Sequence, residues 1–573
     1  MLALAKRMYY GGTVLTMEDI LYAQALLVED GVIRAVGSEA EVRAAAGRDC
    51  EMVDLKGHTL MPAFIDAHSH FSGCANSLLQ VPLGEAVSFD EIEERIAAFI
   101  RDNHISKGQW VAAQGFDHNV LREKRPPRRE VLDRAAPDNP VIMAHQSGHT
   151  GVLNTLALER LGITPDTPVP EGGMMEVADG KVTGYMEETA FLNCQSRVPM
   201  PAPEDLMGAY LRAQDGYARR GVTTVQEGMM IPAMEPLYRQ LCAAGLLKLD
   251  VVGYLDITQA DGMRTALSEH IGQDSGRFKV GGYKTFLDGS PQARTAWLRE
   301  PYCGAEENYR GYPRMSNEEL AGYVDRALDE NMQLLVHCNG DAACEQYLRV
   351  YGERLRARAA SGKPCRAIRP VIIHAQMLAP DQLSRAAQNG MIPSFFVAHV
   401  YHWGDVHLEN LGPERAARIS PAASAGAQGL RYTFHQDAPV IQPDMLETVW
   451  CAVNRVTKQG TVLGPQERVP VLDALRAVTI NAAYQYFEEG SKGSLRPGKR
   501  ADLVILEEDP LKALPMHLRD IRIHFSQGRK DDLPYRHLNA AQAARNMRAA
   551  FRWAKHRERA CPAACRRVPC HTM

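Results

Sequence analysis

The sequence predicts an α/β fold: a (β/α)8 TIM-like barrel, with a small β-sandwich domain formed from both ends of the chain and a large insertion after barrel strand one. Three observations carry this prediction. Eight short apolar or β-branched runs recur through the centre, at 59–67, 221–227, 247–255, 278–287, 332–337, 370–374, 391–398 and 431–435. Helical patterns separate most of them; within 317–331, for instance, Leu320, Val324, Ala327 and Leu328 fall on one face. Strands that alternate with helices make parallel βαβ units, and eight such units close a barrel. The third observation is that β-type sequence also stands at both ends of the chain.

Taken in chain order, residues 1–58 supply the N-terminal part of the sandwich. Segments 12–17 and 25–36 carry alternating or β-branched apolar positions, and Glu29-Asp30-Gly31 reads as a hairpin turn. Residues 59–485 form the barrel. Between its first and second strands lie about 72–215, far more than one crossover helix needs, with strand-like runs of their own at 109–114 and 140–144. Barrel active sites lie at the C-terminal face, so an insertion after strand one is expected to cap the site. Residues 486–530 return to β pattern, at 501–506 and 521–525, and complete the sandwich. The tail, 531–573, is rich in Ala and Arg and ends with Cys561, Cys565, Cys570 and His571. It reads as a helix of marginal stability or a disordered appendage, because metal knuckles need paired short cysteine spacings.

Composition excludes several classes of function. The 573 residues exceed what one hydrophobic core usually serves, and 45% apolar with 23% charged residues is ordinary for a globular protein. A net charge of -4 gives no electrostatic reason to expect nucleic acid, and no apolar run reaches the ~18–20 residues that span a bilayer. The expected partner is a small-molecule substrate, the expected location cytoplasmic, and a homodimer is left open. Nine of the twelve cysteines are scattered singly from Cys50 to Cys451, a pattern of buried thiols rather than of a disulfide framework.

The chemistry begins at His68-Ser69-His70, which follows an apolar strand. On an extended chain residues i and i+2 face the same way, so both imidazoles reach one metal ion. Other predicted strands end on residues of the same kind. Lys284 sits in strand four, His337 and His374 end strands five and six, and Asp437 follows strand eight. A lone histidine there has a structural reading, and a lone Asp can cap a helix. A lysine inside an apolar strand is odder, because its charge is costly to bury without a partner. Together they fall one after another at the face where a barrel places its chemistry.

The order His-x-His, Lys, His, His, Asp resembles the amidohydrolase superfamily. The phrases MPAFIDAHSHF, GGYKTFLDGSPQARTAWL, LLVHCNGDAA, VIIHAQML, FHQDAPV and GSLRPGKRADLVILEEDP resemble, more narrowly, amidohydrolase family 3, the YtcJ-like branch that includes N-substituted formamide deformylases. The resemblance implies a metal-dependent hydrolase of a carbon–nitrogen bond in an amide, N-substituted formamide or cyclic amide. It implies one or two divalent transition-metal ions per chain, with zinc suiting the ligands. His68 and His70 would hold one ion with Asp437, and His337 and His374 a second. Lys284 would bridge them as a carbamate formed with CO2, or stay unmodified and serve one metal or the substrate. Asp437 would shuttle a proton from the metal-activated hydroxide to the departing amine.

Other segments carry less. His149, within Gly148-His149-Thr150-Gly151, would contact substrate or order its loop, and Arg294 would bind a substrate carboxylate or make a structural salt bridge. His399, His402 and His435 lie near strand ends but stand outside the ligand set, which is complete without them. Gly493 to Arg500 nearly matches a phosphate-binding loop, yet Arg500 replaces the required Ser or Thr and a strand follows, not a helix. No Gly-x-Ser-x-Gly nucleophile elbow occurs. Two alternatives accompany the main reading: a metal-dependent deaminase of an amino-heterocycle, against which Lys284 counts, and a catalytically silent barrel used for binding, which would have lost a ligand.

Overall fold

In the computed structural model the described residues are 6–527, apart from 147, 200, 202, 274, 364 and 365. The expectations for the tail, with its three cysteines and His571, lie outside them. The chain divides into two compact units, one made of the first 71 residues with those from Gln214 onward, the other of Ser72–Ala213.

The first unit is organised by eight parallel strands: β1 (Phe64–Ile65), β2 (Val222–Met230), β3 (Asp250–Asp256), β4 (Phe278–Phe286), β5 (Gln333–Cys338), β6 (Val371–His374), β7 (Ile392–Phe395) and β8 (Thr433–Phe434). They hydrogen-bond in sequence order, β1 at one edge and β8 at the other, which is the curled sheet of a TIM-like barrel. Every residue of β3 and β6 is buried, as expected where helices cover a parallel sheet. Helix Asn317–Asp329, between β4 and β5, buries Leu320, Val324, Ala327 and Leu328, the face its periodicity indicates. Ser316 and Glu319 cap its start reciprocally.

Two features of this sheet matter for the site. The run 59–67 is not one strand. Thr59–Pro62 pairs with Thr13–Leu15 and Leu503–Leu506, and the chain changes sheet at Ala63 to enter β1. Only Pro62, just before Ala63, marks the change in the sequence, since burial is equal in both halves. The edges β1 and β8 are joined past their ends, where Asp437 N–H donates to His68 O at 3.2 Å and His70 N–H to Ala438 O at 2.8 Å.

The terminal segments build two further sheets in this unit. Val32–Gly37, Ala25–Glu29, Lys6–Tyr10 and Glu51–Asp54 form one, and Ile523–Gln527, Leu503–Leu506, Thr59–Pro62, Thr13–Leu15 and Tyr22–Ala23 the other. Tyr9, Val14, Leu26, Leu60 and Leu503, drawn from both, share one apolar cluster. The turn from Ala25–Glu29 to Val32–Gly37 uses Asp30 at φ 56° and Gly31 at φ 72°, the left-handed pair that matches strand twist.

The second unit has its own six-stranded sheet. Gln80–Pro82, Val111–Phe116 and Val141–His145 run parallel, and Thr150–Leu153, Lys181–Glu187 and Gly173–Ala178 continue it antiparallel. Ile92 and Ile96 of helix Phe89–Asp102 pack with Val111, Leu132 and Val141 in its core. Among the described residues no cysteines are joined by a disulfide, and no helix is long and apolar enough to cross a membrane.

Candidate metal centre

His68, His70 and Asp437 come together, His374 approaches Asp437, His337 packs against His374, and Lys284 is buried on the neighbouring strand β4. Beyond β1 the chain stays extended through His68 and His70, whose ring centroids are 5.2 Å apart. Both Nε2 atoms lie 3.4 Å from Asp437 Oδ1, and the ligand atoms of these three residues fall within 4.8 Å of each other. His374, the last residue of β6, brings Nε2 to 4.0 Å from Asp437 Oδ2. Its ring is 5.6 Å from that of His68 and 4.5 Å from that of His337 on β5. Lys284 lies two rungs behind His337 on the β4–β5 ladder, where Phe286 is the partner of His337. It is wholly buried, and its Nζ has no hydrogen-bond partner among the described residues, standing 4.7 Å from the Phe286 ring. Asp437 Oδ1 also lacks a well-formed hydrogen bond.

Surrounding side chains fix which nitrogen each imidazole offers. Gln226 Nε2 donates to Ala67 O at 2.8 Å and to Tyr486 Oη at 3.0 Å, which turns its Oε1 towards His68 Nδ1. His68 therefore carries its proton on Nδ1, and the Nε2 lone pair faces Asp437 and the site. His374 Nδ1 lies 3.1 Å from His435 Nε2, and His435 Nδ1 lies 3.0 Å from Ser394 Oγ, so this chain holds the second imidazole from behind. His337 Nδ1 is 3.2 Å from Asp288 Oδ1. Asp288 is itself locked by the N–H groups of Trp297, Asn339 and Gly340 at 2.7–3.0 Å. Gly228 makes room for the pair: a Cβ there would stand 2.8 Å from His68 Cε1 and 3.1 Å from His70 Cε1.

Burial sets the protonation states. It holds His68 and His374 well below the usual imidazole range and takes His435 down to about 3, so these rings are neutral, the form that ligates metal. Burial also pulls His70 down, but its polar contact with Asp437 and the charge of that carboxylate outweigh it and leave His70 raised. Asp437 is pushed up by burial, yet the contact with His70 and the neighbouring imidazoles bring it well below the carboxylate range. Burial lowers Lys284 to about 8 against the pull of Asp437. His374 at φ 70° and Asp437 at φ 52° are left-handed, a conformation costing ~1–2 kcal/mol per non-glycine residue. Neutral imidazoles, an anionic carboxylate with one oxygen short of a hydrogen bond and a partnerless buried amine together fit a transition-metal centre.

The remaining candidates make contacts of their own. Arg294 donates Nε to Asn410 Oδ1 at 2.8 Å, and Asn410 Nδ2 returns to Pro291 O at 3.1 Å, a brace between this loop and helix His399–Leu411. His149 belongs to the second unit, where its exposed Nδ1 lies 3.0 Å from Glu188 Oε2. His399 pairs with His407 at 3.0 Å and His402 with Glu447 at 2.9 Å. Gly493–Arg500 leads into strand Leu503–Leu506, with Lys499 O accepting from Ile33 N–H at 2.8 Å. Gln226, Asp288 and Gly228 are absent from the sequence prediction, and His435 stands outside its ligand set; of these four only His435, at a strand end, carries a usable sequence signal.

Residues 51–537 match the amidohydrolase family. The chain belongs to that family. Among its relatives, N-substituted formamide deformylase of Arthrobacter pascens is 30% identical over 517 residues, covering 87% of this chain and 93% of its own. The Bacillus subtilis protein YtcJ, a putative amidohydrolase by name, is 27% identical over 536 residues, covering 90% and 97%. In structure, an uncharacterized metal-dependent hydrolase from Pyrococcus furiosus superposes with a TM-score of 0.71 at 26% identity, over 89% of this chain and all of that one. This amidohydrolase is thus a metal-dependent hydrolase of the class acting on carbon–nitrogen bonds, and its ligand-type residues stand at the ends of the barrel strands.

Proposed function

We propose that this amidohydrolase cleaves the C–N bond of a small amide, N-substituted formamide or cyclic amide at a centre of one or two zinc-type ions. His68, His70 and Asp437 would hold one ion, His337 and His374 the second, and Lys284 would join them as a carbamate. The observation that carries this reading is the convergence of His68, His70, His374 and Asp437 beside a buried lysine that has no hydrogen-bond partner. Its lowered pKa raises the share of neutral amine, the form that would add to CO2 with release of one proton to give an anionic carbamate. An unmodified lysine would place a cation beside the metals. A bound ion supplies Lewis acidity and lowers the pKa of its water towards ~7. Asp437, anionic and adjacent to His68 and His70, would hold a proton at its carboxylate and deliver it to the departing amine nitrogen. The identity to N-substituted formamide deformylase supports formamides as the first substrates to screen.

The test has two arms. Protein purified without chelators should contain one or two transition-metal ions per chain; a folded, metal-free protein would sink the proposal. Screened against formamides, N-acyl amino acids and cyclic amides, Asp437→Asn should lose roughly 10²–10⁴ in kcat while keeping its fold. An Asn variant as active as the wild type would remove the proton-transfer role.

A further inference from the structure

The unit Ser72–Ala213 carries a second set of metal-type donors. Strand Val111–Phe116 runs into Asp117 and His118, and the neighbouring strand Val141–His145 ends on His145. The two strands are parallel, with Phe116 opposite His145 in register, so the three side chains gather at one end of the sheet. That end is the C-terminal one, where diverging loops of parallel sheets leave room for ligands.

The geometry is that of a small coordination shell. The ligand atoms of Asp117, His118 and His145 all lie within 4.8 Å of one another, and each residue is only partly exposed. His145 Nε2 is 3.5 Å from Asp117 Oδ1; two ligands ~2.1 Å from a tetrahedral ion stand about 3.4 Å apart. Neighbours hold the groups in place. Asn119 donates its backbone N–H and its side-chain amide to Asp117 Oδ1 at 2.9 and 3.0 Å, and Gln146 Nε2 donates to Oδ2 at 2.6 Å. The Phe116 ring stands edge-on to His145 at 5.2 Å, with the His118 ring 5.2 Å away. Burial lowers the pKa of His145, which favours the ligating neutral ring. Burial raises Asp117, but the hydrogen bonds of Asn119 and the nearby His145 bring it down, so it stays anionic.

We propose that Asp117, His118 and His145 bind one divalent transition-metal ion, at a site that shares no residue with the barrel centre. Two imidazoles and one carboxylate suit zinc, nickel or copper, not magnesium or calcium. Three protein ligands leave a position for water.

Zinc titration of the chelator-stripped full-length chain tests this. Wild type should bind one equivalent more than His118→Asn/His145→Asn, and the cobalt-loaded proteins should differ by the visible absorption of one site. Equal stoichiometry with equal spectra overturns the proposal. Because the loss counted is the difference between two proteins with the same barrel residues, failure here is distinguishable from failure of the catalytic reading. Should the double variant misfold, as read by circular dichroism, Asp117→Asn keeps the turn and removes the charge. It should weaken that equivalent by more than about tenfold, and an unchanged affinity overturns the site equally.

Discussion

Lys284 and Lys492 are both buried in the same compact unit, and they are held in opposite ways. Lys492 Nζ lies 2.9 Å from Thr224 Oγ1, 2.8 Å from Asp250 Oδ2 and 2.6 Å from Glu488 Oε2. Burial lowers its pKa, but the charges of Asp250 and Glu488 more than reverse this and leave it raised. Among the described residues Lys284 Nζ has no hydrogen-bond partner, and its pKa falls to about 8 because burial dominates over Asp437. The strands explain the contrast. Thr224, Asp250 and Lys279 stand near the starts of β2, β3 and β4, where Lys279 pairs with Glu488 at 2.6 Å and Arg500 meets Asp250 and Asp502. Lys284, His337 and His374 stand towards the ends. One end of the barrel meets its buried charges with partners from the C-terminal segment, and the other leaves the Lys284 amine without a hydrogen-bond partner among the described residues.

Removing each lysine should separate the two roles. Lys492→Met removes the cation that Asp250 and Glu488 share, leaving Arg500 beside Asp250 and Lys279 beside Glu488, and breaking a buried pair should cost up to about 3–5 kcal/mol. In metal-stripped protein Lys284→Met removes a partnerless charge and should stay within about 1 kcal/mol of wild type. Urea unfolding of both variants measures this, and equal losses would break the comparison. The carbon–nitrogen hydrolase activity should behave in reverse, surviving in folded Lys492→Met and vanishing in Lys284→Met.

The same division explains what is legible in the sequence. Each of the eight predicted barrel runs overlaps one observed barrel strand, because apolar runs alternating with helical periodicity are local signals, although β2, β3 and β5 extend one to three residues past the predicted ends. His68, His70, Lys284, His337, His374 and Asp437 are legible for a different reason: each is a chemically distinctive residue at or near a strand end. Gln226 and Gly228 are not, since a neutral amide and a glycine within β2 have no unusual chemistry until their contacts with His68 are seen. The change of sheet at Ala63 is marked only by Pro62, because burial is equal on both sides. Arg294 is hidden by distance along the chain: its Nε goes to Asn410, a partner 116 positions away that no local pattern indicates.

A supporting residue should produce an intermediate effect. Gln226→Leu removes the acceptor that keeps the proton on His68 Nδ1, which frees the ring to present the wrong nitrogen. Loss of such a contact lowers metal affinity by roughly 10–100-fold, measurable by zinc competition against a chelator. Gln226→Glu keeps an acceptor for His68 Nδ1 but loses the donation to Ala67 O and Tyr486 Oη, so it should retain more affinity than Gln226→Leu. If both variants weaken zinc equally while thermal melts are unchanged, the amide is not setting the tautomer.

The smallest effect belongs to a third regime, in which charges are matched but partly exposed. Glu345 accepts hydrogen bonds from Arg385 Nη1 at 2.7 Å, Arg299 Nη2 at 2.6 Å and Gln382 Nε2 at 3.2 Å. The Arg385 hydrogen bond is the main cause that brings its pKa from 4.5 down to about 2. A depressed carboxylate stabilises the fold fully above its unfolded pKa, and the contribution is lost as pH falls through the folded value. Wild type should therefore exceed Glu345→Gln in melting temperature at about pH 6, with the gap closing between pH 4.5 and about 2. Solvent screening keeps the gap small, under about 1 kcal/mol. Metal loss at low pH affects both proteins alike and cancels in the difference. A gap that persists unchanged at about pH 2 would mean that the packing of the introduced amide is at fault rather than the lost charge. Matched charges at the surface would then follow different rules from those around Lys492.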